Sequence, residues 1–369
     1  MPFDALFLTP ELRAAVSDEA WVRALVEAER ALLKVQFGEE LPEVELDPEE
    51  LAREGRRVGN PAEPLVRRLR EVAPNVHHGA TSQDVLDTAA ALVARDAKAL
   101  VLAELDGAAA ACARLAEEHR DTVMAARTLL QQAVPTTFGC KASIWLAGLM
   151  QLRKTLDSAH VPAQLGGAGG TLAAFGERGL EVRAAFAREL GLPEPDVTWH
   201  TLRLPIAYLG SLLGLTAGLL EKIALDVQLL AQTEVAEVRE PAEGGSSTMP
   251  HKRNPVGSTL ARACAMRARA AAALLQETQA QEHERGAAGW HAEWGALSDA
   301  LVYTGGAAAW MRETLAGLEV DAERMRANVV PETLSEAERF GGAERPEDYL
   351  GSVGALVDAV LAAYRERTR

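Results

Sequence analysis

From Leu204 to Leu220 the chain carries no charged residue, and this stretch constrains the fold more than any other. It is short for a bilayer span, it contains glycine, serine and threonine, and Glu221-Lys222 follow at once. A buried bundle helix fits it better than a membrane segment. Pro205 can open such a helix, because its missing N–H would find no partner in the first turn anyway. Heptad rows follow: Ile206, Leu213, Leu220 and Val227 in one, and Leu209, Thr216, Ile223 and Leu230 in the next. A third row, Gly210, Ala217, Ala224 and Ala231, is small throughout. Large knobs beside a small seam suit close helix–helix packing on more than one side. The pattern predicts one helix to about Glu240, ~50 Å long at 1.5 Å per residue. A helix this apolar all round needs neighbours on several faces, other subunits among them.

Similar helical periodicity occupies 84–120, 136–160, 255–283 and 292–316, and no stretch alternates convincingly with period two. The chain therefore reads as all-α. A helical N-terminal domain spans 1–83, a long-helix bundle spans 84–320, and a short C-terminal helical segment spans 321–369. The punctuation is rich in glycine and proline: GNPAEP at 59–64, QLGGAGG at 164–170 and GLPEP at 191–195. Hydrophobic residues make up 48% of the chain and aromatics only 5%, a mixture that favours helix over sheet.

The formal charge of −15 argues against nucleic-acid or anionic-membrane binding, both of which need a basic face. An anionic substrate would have to meet a local cluster of cations. The cysteines, Cys112, Cys140 and Cys264, are odd in number and widely spaced. That pattern suits buried core thiols in a reducing cytosol, with no disulfide framework and no zinc knuckle. The N-terminus shows no basic region followed by an apolar run, so no signal peptide is expected.

Residues 244–255, GGSSTMPHKRNP, form the first stretch with chemical potential. Gly244-Gly245 permits unusual backbone angles and movement. Asn254 reads as a helix N-cap with Pro255 as the first helical residue, which would put backbone amides beside Lys252 and Arg253 as an anion site. A serine hydroxyl serves as a base only if amides, a cation or a helix dipole stabilise its alkoxide. This loop supplies all three; the plain alternative is a solvated linker.

A second stretch, VHHGATSQDVLDTAA at 76–90, has capping-box spacing in Thr81 and Asp84. Beyond that cap, Thr81, Ser82 and Gln83 offer hydroxyls and an amide suited to carboxylate oxygens. A third, RTLLQQAVPTTFG at 127–139, reads in isolation as an interhelix turn with Pro135 starting the next helix. The fourth, QEHERGAAGWHAEW at 281–294, opens like an HExxH zinc motif, but Ala287 stands where the second histidine belongs. His291-x-Glu293 lacks the PCxxC that a zinc deaminase would supply. No metal site is expected.

Together these stretches resemble the fumarase/aspartase superfamily, whose members catalyse reversible additions and eliminations next to a carboxylate. GGSSTMPHKRNP looks like its signature loop, and HHGATSQDVLDTA and RTLLQQAVPTTFG look like its other two active-site regions. The resemblance spans about residues 5 to 330. MPHKRNP and PTTFG point to two branches, adenylosuccinate lyases and 3-carboxy-cis,cis-muconate cycloisomerases. The former carry a catalytic histidine where this chain has Leu129, and leucine can move no proton. RTLLQQ, QEHER and WHAEW resemble the cycloisomerase branch. After about Asn328 the chain looks shorter than many relatives.

The resemblance implies lactonisation of a tricarboxylate diene in the protocatechuate (β-ketoadipate) route of aromatic degradation. A substrate carboxylate adds across a double bond, and charge collects as an aci-carboxylate until a proton quenches it. The implied proton carrier is Ser246, with Ser247 as runner-up. Lys252 and Asn254 match anion-binding positions, as do Thr81, Ser82, Gln83 and the neighbouring His77. Thr128 and Gln131 match the second region. Arg127, Arg285 and His291 are further, weaker candidates, Arg285 reading rather as a surface helix charge. His119, His160 and His200 are left structural or solvent-exposed. The resemblance also implies no metal or organic cofactor, a cytoplasmic homotetramer with active sites shared between subunits, and a small anionic tricarboxylate as substrate. The competing readings are adenylosuccinate lyase or another C–N or C–X lyase of the superfamily, and a catalytically silent scaffold.

Overall fold

A computed structural model describes residues 3–367 apart from 242, 246–248, 250 and 251, and the side chains of 243–245 are outside the description. Four helices come first: α1 (Pro10–Ala15), α2 (Asp18–Phe37), α3 (Pro48–Gly55) and α4 (Ala62–Val72). The bundle is built from α5 (Ser82–Glu118), α6 (Phe138–Ser158), α8 (Leu204–Ala231), α9 (Val256–Glu277) and α10 (Gly289–Ala316), with α7 (Gly179–Glu189) in the connection before α8. Three short helices close the chain: α11 (Ala322–Ala327), α12 (Ser335–Phe340) and α13 (Val353–Arg367).

The heptad rows of α8 do what their spacing predicts. Ile206, Leu209, Leu213, Leu220, Ile223, Val227 and Leu230 are all buried, and so are Gly210, Ala217 and Ala224. α9 packs between α8 and α10, while α5 lies against α10 and α6. The buried Trp145 of α6 donates its Nε1–H to Asp226 Oδ2 of α8 at 2.7 Å, which gives its indole a polar partner inside the core. Leu204–Ala231 is long and apolar enough to cross a membrane, and half of its apolar window is buried against other helices. On its open side α8 shows a stripe of Leu204, Tyr208, Leu215 and Leu225.

Four expectations need correction. The α8 pattern does not continue to Glu240, because Gln232 leaves the helical region and Glu237 turns back, its N–H donating to Leu230 O. Residues 127–139 are not an interhelix turn but part of an antiparallel hairpin, β1 (Val123–Thr128) and β2 (Gln131–Thr137). Pro135 sits inside β2 opposite Ala125, and α6 starts at Phe138 under a Thr137 cap. Two further two-stranded ladders occur, β3 (Val238–Arg239) with β6 (Glu319–Val320) and β4 (Glu243–Gly245) with β5 (Arg253–Pro255). The fold class is unaffected, since these pairs only link helices. Finally, Cys112 and Cys264 are buried as expected, but Cys140 is half-buried.

Candidate active site

The sequence-predicted residues fall into two sets at opposite ends of the bundle. α5 has 37 residues, so it spans roughly 55 Å. Thr81 caps its start and the β1–β2 hairpin follows its end. α9 then carries the chain from β5 back toward Arg285, which meets Thr81.

At the Thr81 end the chain builds a cradle around one buried carboxylate. Asp84 Oδ1 accepts from Gly166 N–H (2.8 Å) and His200 Nε2 (2.7 Å). Its Oδ2 accepts from Gly167 N–H (2.9 Å) and Thr81 N–H (3.0 Å). The capping box is therefore also the anchor of the 164–170 loop, whose Gly167 (φ +73°) could not carry a side chain against Gly79 O. Arg285 completes the cradle: Nη1 donates to Thr81 Oγ at 2.6 Å and Nη2 to Ala168 O at 3.0 Å. The surface-charge reading of Arg285 is thus replaced by a half-buried cation fixed over the loop. His77 adopts a left-handed φ of 62° and its Nδ1 lies 2.6 Å from Glu29 Oε1.

Ser82 is half-buried on the first turn of α5. Gln83 is fully buried and donates to His200 O at 2.8 Å, so it braces the cradle from within and faces no open space. His200 is accordingly a buried structural histidine. Beneath the cradle lies a second charged layer. Arg203 donates to Asp87 (2.8 and 2.9 Å) and to Glu293 (2.6 Å), while Trp290 Nε1 also donates to Asp87 at 3.0 Å. Burial works against the Arg203 charge, yet Asp87 and Glu293 hold the guanidinium above its ordinary range. Burial pushes Glu293 up against the pull of Arg203. His291 is exposed, edge-on to Trp290 and tilted against Trp294, and takes no part in the Thr81 hydrogen bonds. Among the described residues no group of three or more His, Cys, Asp or Glu could hold a metal ion.

The other end is open. Thr128 and Gln131 face each other across a two-residue turn in which Leu129 (φ 51°) and Leu130 (φ 66°) are both left-handed. A type I′ turn of this kind favours Asn-Gly, and each leucine there costs about 1–2 kcal/mol. Both leucines project outward, 97% and 75% exposed. Arg127 is no free cation, because it forms a two-bond pair with the buried Glu237 (2.9 and 2.6 Å), to which Asn328 Nδ2 also donates at 2.8 Å.

Beside this hairpin, Gly244 and Gly245 pair with Asn254 and Arg253, closing the base of the 244–255 loop. Asn254 is therefore in a strand, not an N-cap, and α9 begins at Val256. The amides expected to attract an external anion are taken: Gly257 N–H (2.8 Å) and Ser258 N–H (3.1 Å) donate to Glu240, as does Ser258 Oγ. Lys252 is exposed at the mouth of the loop. The base of the loop lines an open cleft of about 490 Å³ with Arg239, Glu240 and Glu319, which shares no lining residue with the Thr81 cradle. Ser246 and Ser247 lie outside the described residues.

The lyase family model matches residues 25–270. The chain is 45% identical over 352 residues to nitrosuccinate lyase from Streptomyces davaonensis, covering 86% of this chain and 74% of that protein. It is 43% identical over 364 residues to 3-carboxy-cis,cis-muconate cycloisomerase from Bradyrhizobium diazoefficiens, covering 90% and 81%. The solved 3-carboxy-cis,cis-muconate lactonizing enzyme of Pseudomonas putida superposes with a TM-score of 0.91 at 33% identity over 100% of both chains. The chain belongs to the fumarase/aspartase superfamily and is an enzyme of that lyase class.

Proposed function

We propose that the enzyme lactonises 3-carboxy-cis,cis-muconate, with the acid–base step carried by Ser246 and the substrate carboxylates held by Arg285, Thr81, Ser82 and His77 from one end of the bundle and by Lys252, Asn254, Thr128 and Gln131 from the other. Because those ends are roughly 55 Å apart in one chain, the site is assembled between chains, as a homo-oligomer such as a tetramer would allow. The exposed leucine tip and the apolar stripe on α8 support that arrangement.

The observation that carries the reading is the hairpin tip. Leu129 and Leu130 stand between two polar side chains and offer no proton. Lactonisation needs none there: the nucleophile is a carboxylate already charged, and in reverse the departing group is again a carboxylate. Elimination of an amine, as from adenylosuccinate, would need a proton donor for the leaving nitrogen. Two leucines also suit the hydrocarbon between the acid groups of a diene.

A second reading rests on the relative at 45% identity. A nitrosuccinate lyase also has a leaving group, nitrite, that departs without protonation, so Leu129 does not separate the two. The test is to incubate the enzyme with 3-carboxy-cis,cis-muconate and with nitrosuccinate in parallel. Loss of diene absorbance without comparable nitrite release is expected. Nitrite release with no loss of diene would replace the cycloisomerase reading.

A further inference from the structure

The His77 ring is held by a residue that no sequence motif singled out. Glu29, in the middle of α2, is fully buried, and among the described residues its bond is the 2.6 Å contact of Oε1 with His77 Nδ1. Among the described residues its second oxygen has no partner. A carboxylate can only accept, so Nδ1 carries the hydrogen and the opposite nitrogen, Nε2, is left for something else. Among the described residues nothing bonds to Nε2, and the side chain keeps 13% exposure. The backbone is bent to allow this, since a histidine at φ 62° occupies a sparsely populated region that persists only where its surroundings fix it. His77 lies in the loop that ends at Thr81, where Arg285 already presents a cation.

We infer that Glu29 is a positioning residue: with its carboxylate as counter-ion, the His77 ring meets an anionic substrate as the imidazolium, its Nδ1–H held by Glu29 and its Nε2–H donating to one substrate carboxylate beside Thr81 and Arg285. The fit is to a polycarboxylate, because His77 shares a loop with Thr81 and Arg285 is bonded to Thr81, which together offer more donors than a single carboxylate needs. The inference rests on the polycarboxylate reading of the site and adds the residue that aims one of its donors.

The test is a double-mutant cycle read by calorimetry with propane-1,2,3-tricarboxylate, a saturated tricarboxylate that cannot react. Glu29→Gln keeps the volume and removes the charge. It should weaken binding about tenfold, and His77→Asn should weaken it at least as much. The double variant should bind no worse than His77→Asn alone, because both changes remove one interaction. Should Glu29→Gln fail to fold, Glu29→Asp takes its place, drawing the charge back by one methylene with the same non-additivity expected. Wild-type affinity in the Glu29 variant, additive losses in the double variant, or no binding by the wild type would each overturn the inference. Diene turnover is measured separately. A wild type that binds the tricarboxylate with coupled Glu29 and His77 losses yet turns over no diene would remove the proposed reaction and leave this assignment standing.

Discussion

The two ends of the bundle are built on opposite principles. Around Asp84 each of the carboxylate's four bonds comes from within the chain, and a buried Arg203–Asp87–Glu293 layer supports it from below. At the hairpin the chain keeps two leucines in a strained turn and exposes them. One end is finished before anything binds, whereas the other spends conformational energy on a shape that benefits nothing in the same chain. On the proposed reading, preorganisation and exposure are two halves of one site. Rigid donors belong where carboxylates must be met in fixed geometry, and a protruding tip belongs where the remaining wall is brought from another chain.

The largest effect should come from breaking the finished end. Arg203→Leu leaves Asp87 and Glu293 as uncompensated buried charges and should destabilise the fold by about 3–5 kcal/mol, read as a lowered thermal melting point. A small change in melting would mean that the charged layer is not what holds this end. Arg285→Ala should act differently. It should lower kcat/KM about 10- to 100-fold while the melting point stays near wild type, since the residue is half-buried and joins two loops. A large loss of stability with little loss of activity would make Arg285 a brace.

The exposed end should show the reverse trade. Replacing Leu129-Leu130 by Asn-Gly relieves the left-handed leucines and should stabilise the hairpin by roughly 1 kcal/mol or more. Activity should nonetheless fall, because the tip has lost its apolar wall. A variant that is both more stable and fully active would show that the tip has no part in the site. The smallest effect concerns the cysteines. Burial pushes the Cys112 and Cys264 thiols up to about 12, so a thiol reagent at pH 8 should titrate only the half-buried Cys140 in the native enzyme. Reaction of all three would mean that the bundle opens far more readily than its packing implies.

Much of this was legible in the sequence, and the rest was hidden for identifiable reasons. The heptad rows of α8 read correctly because side-chain period is a local property, and the rows 206–230 are buried as spaced. The hairpin was missed because its turn carries Leu-Leu where the usual signal is Asn-Gly, so nothing marked a reversal. Asp84 showed only as a cap, since its other partners, Gly166, Gly167 and His200, are far along the chain. Glu29 gave no signal at all, being one acid in an amphipathic helix 48 residues before its histidine. Arg285 looked like a surface charge until the fold brought Thr81 to it. Asn254 followed the rule for a helix cap, but strand pairing with Gly244 prevailed and Glu240 supplied the cap instead. The roles proposed for Ser246 and Ser247 rest on the resemblance alone, since both lie outside the described residues.

The central claim is that a working site joins the Thr81 end of one chain to the hairpin end of another. Subunit mixing tests it directly: Arg285→Ala chains and Thr128→Ala/Gln131→Ala chains, each strongly impaired alone, are unfolded together and refolded as hybrids. Recovery of a substantial part of wild-type turnover is expected, because some sites in the hybrid would combine two undamaged ends. Hybrids that assemble normally but are no more active than their parents at every mixing ratio would contradict the claim and return both ends to a single chain.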